Sequence, residues 1–472
     1  MSNILIIGAG IAGQLLLKEL LVNSENRVVG FIDDHKNEAV LGLQIIGKID
    51  QLPQILSVYA IDQIIVAMPS QKGELIRKIV GHLLENNSVK LFILPSTADV
   101  VINAKVDLQT VRPIEPSDLV GEPVVKSEQE KIKKQFLGKN VLITGGGGSI
   151  GSELVRQIAF SGPNKVVVLD SCERNLFYIQ TEISRSAPDV FKRSKFILGD
   201  VTNEPLIDEI FNKLSIDIVF HAAAYKHVPL VEENTYEGVK NNVLGTWVVS
   251  TAAKKYGVSK FILISTDKAV NPKNVMGMTK RIAEHVVSCC NTPEKKTFRA
   301  VRFGNVFNSS GSAVEIFLQQ IKQHQEITIT DFRMTRFFMT IPEAVHLVLQ
   351  GAFSQKNNSD VYMLEMGEEV NIYELAKCLI VISGDKVSSH IFKEVGIRNG
   401  EKYSEELFDA KKEIATKSTH PRIKQIHYQM AVDTQYFAQK ITDLQATLDD
   451  KMVKNHSKQG EKKLKAHLSE LL

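Results

Sequence analysis

Residues Gly138–Gly151 read GKNVLITGGGGSIG. Val141–Thr144 is a short apolar run of the kind that forms a strand buried on both faces. Gly145, Gly148 and Gly151 follow at three-residue intervals, with Ser149 and Ile150 opening a helix between them. Glycine there lets the turn be tight and lets the backbone approach a pyrophosphate, whose charge faces the helix N-terminus. A second strand, Val166–Leu169, ends in Asp170, 25 residues after Gly145. A carboxylate at that point suits the ribose hydroxyls of NAD and repels the extra phosphate of NADP. Arg174, four residues on, keeps NADP in play as the less favoured cofactor. Strand, glycine loop, helix, strand and acid, in that order, predict a Rossmann-like α/β domain with a parallel sheet.

The pattern continues downstream. Phe196–Leu198 leads to Gly199-Asp200-Val201, where Asp200 is placed for an adenine amino group. Asp217–Phe220 leads to His221-Ala222-Ala223-Ala224, where small side chains let a cofactor lie against the backbone. With Thr144 at the end of its strand, these residues form the expected dinucleotide site. Asn242, in NNVLGT, is placed either to contact the cofactor or to brace the site. Lys226 and His227, after the alanines, either face a phosphorylated substrate or are surface groups.

Chemistry gathers in Ile264–Lys280, ISTDKAVNPKNVMGMTK. An apolar run ends there in Ser265-Thr266-Asp267-Lys268, so a hydroxyl, a carboxylate and an amine leave one strand end together. In an open parallel sheet that is where ligands bind. Lys280 follows on a helix predicted over Met278–His285. A sixth strand, Phe298–Arg302, leads into Asn305. Arg302, Asn305, Arg336 in MTRFFMTI, and Arg398, Glu401 and Lys402 in GIRNGEKYSEEL are candidate contacts to an anionic substrate.

The N-terminus repeats the first pattern. A strand over Asn3–Ile7 precedes Gly8, Gly10 and Gly13, and a strand over Arg27–Ile32 ends in Asp33-Asp34. Further strands are predicted at Ile64–Ala67, before Met68-Pro69-Ser70, and at Val89–Leu94, before Pro95. No acid–base set follows Asp34, so this domain is either a second nucleotide site or a docking and regulatory module. The expected organisation is a first domain over 1–115, a linker over 116–138 carrying Glu122 and Pro123, and a catalytic domain over 139–425. A polar, Lys-rich helical tail over 426–472 would be exposed or form an oligomer contact.

Composition sets the outer limits. The 472 residues carry a net charge of +3, which gives no argument for nucleic acid. No apolar run approaches the roughly 18 residues of a membrane span. Cys172, Cys289, Cys290 and Cys378 have no CxxC spacing, so four reduced thiols in a cytoplasmic protein are expected, and no metal.

From Leu119 to about Ile423 the chain resembles the CapD-like polysaccharide-biosynthesis family of nucleoside-diphosphate-sugar 4,6-dehydratases, extended short-chain dehydrogenases. The resemblance rests on TGGGGSIGSEL, HAAAYKHVPLVE, NNVLGT, ISTDKAVNPKNVMGMTKR, VRFGNVFNSSGS, RMTRFFMTIPEA and GIRNGEKYSEEL. In short relatives a tyrosine base stands four residues before the lysine matched by Lys280. Here Met276 holds that position, as in the large members. The large members also match IDD and VAMPS of the first domain, and carry N-terminal membrane helices that this sequence lacks. The resemblance implies conversion of UDP-N-acetylglucosamine to its 4-keto-6-deoxy derivative with NAD recycled, in a homo-oligomer. Within it, Asp267 is expected as acid, Lys268 as base at carbon 5, Thr266 as a partner of the carbon 4 oxygen, and Lys280 as a ligand of the nicotinamide ribose. A 4-epimerase on the same scaffold and a non-catalytic nucleotide sensor are the competing readings.

Overall fold

Short apolar runs separated by helices leave each strand no water-facing side, and two mainly parallel sheets result. The computed structural model describes residues 2–23, 26–69, 73–84, 89–94, 107–121, 126–292, 296–353, 359–398, 400–429, 433–454 and 457–472. Ser70, Pro95, Glu122 and Pro123 lie outside them.

The first sheet contains β1 (Asn3–Ile7), β2 (Arg27–Ile32), β3 (Ile45–Gly47), β4 (Gln63–Val66), β5 (Lys90–Ile93) and β6 (Arg112–Pro113). Among the described residues its order is β3-β2-β1-β4-β5-β6. Only β6 runs antiparallel to its neighbour. The second sheet contains β7 (Asn140–Thr144), β8 (Lys165–Asp170), β9 (Lys195–Leu198), β10 (Ile218–His221), β11 (Lys260–Ile264) and β12 (Phe298–Arg302). Its parallel part runs from Val361–Leu364 through β12-β11-β10-β7-β8-β9. Val361–Leu364 pairs with β12, and Ile423–Tyr428 and Glu413–Lys417 close that edge antiparallel. Chain order reverses between β7 and β10, and the crevice beyond their carboxyl ends is where such sheets take ligands.

The predicted strands agree with the observed ones within a residue or so at each end. The compact units divide the chain differently from the linear expectation. One unit holds Met1–Lys126, Val306–Glu343 and Gly367–Ile397; the other holds the remainder. The reason is apolar packing. Helices Ala313–Lys322 and Ile372–Ile382 place Phe317, Ile321, Leu375 and Leu379 in one core with Ile76, Ile79, Val80 and Leu119. The residues read as a linker also contain structure: Arg112 forms a two-pronged pair with Asp118 at 2.7 and 2.8 Å.

The expectation of an exposed C-terminal tail is overturned. Helix Thr434–Asp449 carries Phe437, Ile441, Leu444 and Leu448 on one face by their three- and four-residue spacing. These residues and Leu464, Leu468 and Leu471 are buried in a cluster with Val231, Val275, Met276 and Ile282. The lysines mark only the outer face. The four cysteines are free, with Cys289, Cys290 and Cys378 buried. No described helix is long and apolar enough to cross a membrane.

Candidate active site

The glycine loop after β7 is built for close approach. Gly145 has φ +64°, a conformation that side chains rarely adopt. A Cβ there would lie 2.6 Å from the Ala223 nitrogen, so the Ala222-Ala223-Ala224 stretch after β10 lies directly against the loop. A Cβ at Gly151 would lie 1.9 Å from the Gly145 carbonyl oxygen, so Gly151 sets the packing of helix Ser149–Ala159 on β7. Gly148 is different. It is the N-cap of that helix with φ −72°, and a Cβ would meet only the Gly145 oxygen, at 3.3 Å. No side chain would meet a Cβ at Gly148, so the N-terminus of helix Ser149–Ala159 can be approached closely, and helix N-termini suit a diphosphate. The chain's own residues fit a dinucleotide.

Asp170 is buried at the end of β8 and accepts from the Gly147 and Cys172 amides, both at 2.8 Å. It organises the glycine loop through these two amides. Arg174 is exposed, as is Asp200, which accepts from the Thr202 amide and hydroxyl. Val201 is not a ligand group by its side chain, which is buried where a Cβ at Gly245 would press on it at 2.7 Å.

Two polar groups near the loop are structural. His221 Nδ1 lies 2.7 Å from Thr144 Oγ1 and its Nε2 lies 3.1 Å from Thr246 Oγ1. Burial, aided by Lys280, pushes its imidazole down to about 3, so it stays neutral. Asn242 is the brace, not the cofactor contact. Its amide oxygen accepts from the Tyr225 nitrogen at 2.8 Å, and its Nδ2 donates to the Tyr225 carbonyl at 2.9 Å and to Thr279 Oγ1 at 3.0 Å. That clamps the loop after β10 to helix Val275–Ser288. Lys226 and His227, on the same loop, are exposed.

The acid–base groups leave β11 as expected. Asp267–Ala269 is a single tight turn with Thr266 as its cap. Thr266 Oγ1 donates to Asp267 Oδ1 at 2.9 Å. Lys268 Nζ donates to the same oxygen at 3.0 Å and to Asn305 Oδ1 at 3.1 Å. Asp267 Oδ2 is buried and has no hydrogen-bond partner. A buried acceptor left unmade costs about 1–3 kcal/mol, which a proton or a substrate hydroxyl would recover.

Glu405 is a member of this group that the sequence reading missed. Its Oε1 lies 3.8 Å from Lys268 Nζ, and its Oε2 is buried without a hydrogen-bond partner, 3.8 Å from Lys402 Nζ. Lys402 donates to the Val270 carbonyl at 2.9 Å, and Asn274 Nδ2 donates to that of Gly400 at 3.0 Å. These bonds fasten Gly400–Lys402 onto the turn after Lys268. Arg398 is exposed at its start, its amide donating to Glu401 Oε2 at 3.1 Å.

Three expected site residues are buried. Arg302 is fully buried and spends its guanidinium on Glu284 and Glu413, so it does not reach a substrate. Arg336 belongs to the other compact unit, buried on strand Thr335–Met339 with Nη1 donating to the Thr335 carbonyl. Met276 is buried in the cluster made by the C-terminal helices. Lys280, one turn on, donates from Nζ to the Ile264 carbonyl at 2.6 Å. Burial, opposed by Glu284, pushes its ammonium down to about 8.

The first unit repeats the loop with a difference. The Ala9 amide donates to Asp33 Oδ2 at 2.8 Å, as the Gly147 amide does to Asp170. Gly8 has φ +102°, a Cβ at Gly13 would lie 1.9 Å from the Gly8 oxygen, and Gly10 faces open space. Here, however, Lys36 Nζ donates to the Ala9 carbonyl, putting a cation across the loop.

A family model described as "Polysaccharide biosynthesis protein" matches residues 141–428. The chain belongs to this polysaccharide biosynthesis protein family. Residues 2–95 match a second model, described as "CoA-binding domain". The chain is 40% identical over 429 residues to the capsular polysaccharide biosynthesis protein CapD of Staphylococcus aureus, covering 89% of this chain and 70% of that protein. It is 36% identical to a UDP-glucose 4-epimerase of Rickettsia canadensis, covering 58% of this chain and 78% of the epimerase. Among solved structures, Pen from Bacillus thuringiensis is similar at 31% identity and a TM-score of 0.56, covering 63% of this chain and 90% of Pen. These matches place the family's α/β fold on the second sheet.

Proposed function

We propose that the chain is an NAD-dependent nucleotide-sugar 4,6-dehydratase acting on UDP-N-acetylglucosamine, giving UDP-2-acetamido-2,6-dideoxy-4-keto-hexose for a bacterial surface glycan. The observation that carries this reading is the Asp267–Lys268 pair with Oδ2 unpartnered, in a site whose tyrosine position holds Met276. The loop from Gly145 to Gly151 would hold NAD, which when bound would supply the hydride acceptor for carbon 4 and the hydride donor for carbon 6.

The chain's own groups move the protons. Asp267 Oδ2 accepts the proton that leaves the carbon 4 hydroxyl, with Thr266 holding that oxygen. The new ketone acidifies carbon 5. Lys268, as the amine, takes the carbon 5 proton while Asp267 gives its proton to the carbon 6 hydroxyl, which leaves as water. Lys268 then returns its proton to carbon 5, and both residues end as they began. Lys268 must enter as an amine, and Glu405 is the carboxylate placed to receive its extra proton. The Asp267 and Glu405 side chains are 1% and 5% exposed, so both carboxylates face Lys268 from the interior.

The test is direct. The purified chain is incubated with UDP-N-acetylglucosamine, and the product is weighed. Loss of one water supports dehydration. An epimerised product of unchanged mass would establish the 4-epimerase reading, which the Rickettsia relative favours. No conversion, with NAD retained, would leave a nucleotide sensor.

Two predictions belong here. Glu405→Gln keeps the shape but cannot take a proton, so kcat should fall on the order of tenfold to a hundredfold with NAD content unchanged. A variant within twofold of wild type in steady-state kinetics would remove Glu405 from the proton path. A Cβ at Gly148 meets only the Gly145 oxygen, at 3.3 Å, so Gly148→Val should fold, with a melting temperature lowered by a few degrees at most, and yet lose NAD on gel filtration. Gly10→Val should keep it. The reverse pattern would move the catalytic cofactor to the first unit.

A further inference from the structure

We propose that His324, Asp385 and His390 form a transition-metal site, with Zn²⁺ the ion of best-matched chemistry. All three residues lie in one compact unit and none belongs to the proposed reaction. Strands Ile327–Ile329 and Phe392–Glu394 pair in parallel, and the Ile327 amide donates to the Ile391 carbonyl at 2.8 Å. Parallel pairing brings the residues that precede the two strands to the same end. His324 precedes one strand and His390 the other. Asp385 joins them from the turn after helix Ile372–Ile382.

The geometry goes beyond one hydrogen bond. His390 Nε2 lies 3.0 Å from Asp385 Oδ2, an ordinary imidazole–carboxylate contact. His324 Nδ1 lies 4.0 Å from the same oxygen, too far for a hydrogen bond, with its ring nearly parallel to that of His390. One ligand atom from each residue lies within 4.8 Å of the others. Zn–N and Zn–O bonds of about 2.0–2.2 Å put tetrahedral donors roughly 3.3–3.5 Å apart, a spacing that these distances bracket. Two imidazoles and one carboxylate are a zinc ligand set that leaves the fourth position for water. The His390 side chain is 1% exposed and the His324 side chain 77% exposed, so one ligand is fixed by the fold and the other is free to swing the short distance needed. An ion held there would tie the turn carrying Asp385 to the strand pair.

The experiment uses the full chain, stripped with a chelator and titrated with ZnCl₂ by calorimetry at pH 7.5. One saturable site per chain is expected. His324→Ala, at an exposed position, should leave the circular dichroism spectrum unchanged and weaken Zn²⁺ at least tenfold, and Asp385→Asn should do likewise. A wild type with no saturable site would overturn the proposal. So would a site whose affinity both variants leave within twofold, since the ion would then sit on others among the 12 histidines.

Discussion

Lys268→Ala should yield a folded protein that retains NAD and releases no water from its substrate. Among the described residues, Lys268 is the amine that contacts Asp267, and it is held there by Asn305 as well. Its removal takes away the proposed base at carbon 5 and leaves the glycine loop untouched. A positioned general base contributes on the order of 10²–10⁴ in rate, so turnover should fall by roughly that factor. The fold should suffer little, because the Lys268 side chain is 22% exposed and Thr266 still donates to Asp267. Three readouts on one preparation decide the matter: melting temperature, NAD released on denaturation, and deuterium uptake at carbon 5 in heavy water. Loss of exchange with the first two unchanged is the expected result. Turnover within threefold of wild type would take Lys268 out of the chemistry, and loss of NAD would make it a cofactor ligand.

Where the sequence was legible, the reason is local. Val141–Thr144 with Gly145, Gly148 and Gly151 carries strand, turn and helix signals in fourteen consecutive residues from Gly138, and the structure follows them. Asp267 and Lys268 are adjacent in the chain, so their pairing needed no knowledge of the fold. Two of the misreadings have the opposite property. Glu405 stands 137 positions after Lys268 and enters the site only because Lys402 and Asn274 fasten its segment down. Arg302 ends a strand in the manner of a substrate-binding arginine, but its two carboxylate partners come from a helix and from a distant edge strand. The C-terminal helices were judged by their lysines, although the spacing of Phe437, Ile441, Leu444 and Leu448 already declared a buried face. That last signal was in the sequence and was outweighed by composition.

Arg302→Met should be the most damaging single substitution for stability. Arg302 Nε and Nη2 donate to Glu284 at 2.7 Å each, and Nη1 and Nη2 donate to Glu413 at 2.9 Å each. Arg281 donates to Glu413 at 2.6 Å, and Ser265 Oγ donates to Glu284 Oε1 at 2.6 Å. Glu413 Oε2 also accepts from the Asp409 amide. The network thus ties together the end of β11, helix Val275–Ser288, the end of β12 and the segment that carries Glu405. Burial raises both carboxyls, but the guanidiniums outweigh it, bringing Glu413 down to about 2 and Glu284 below its ordinary range. A group so depressed contributes stability that is present above its unfolded value of 4.5 and is lost as pH falls toward the folded one. Without Arg302, two carboxylates stay buried with Arg281 as their only described cation. Breaking such a network from one side costs roughly 3–5 kcal/mol. The carboxyls should then prefer to be protonated, which reverses the slope: their contribution would be best at low pH and would worsen as pH rises through neutrality. Urea unfolding of wild type and variant at pH 5 and pH 8 should show the gap between them widening at the higher pH. Adding Glu284→Gln and Glu413→Gln to the variant should recover a good part of the loss at pH 8, because the uncompensated charges would be gone. A variant within about 1 kcal/mol of wild type at pH 8, or one that the two glutamines make worse, would show that side-chain packing and not charge holds this part of the fold together.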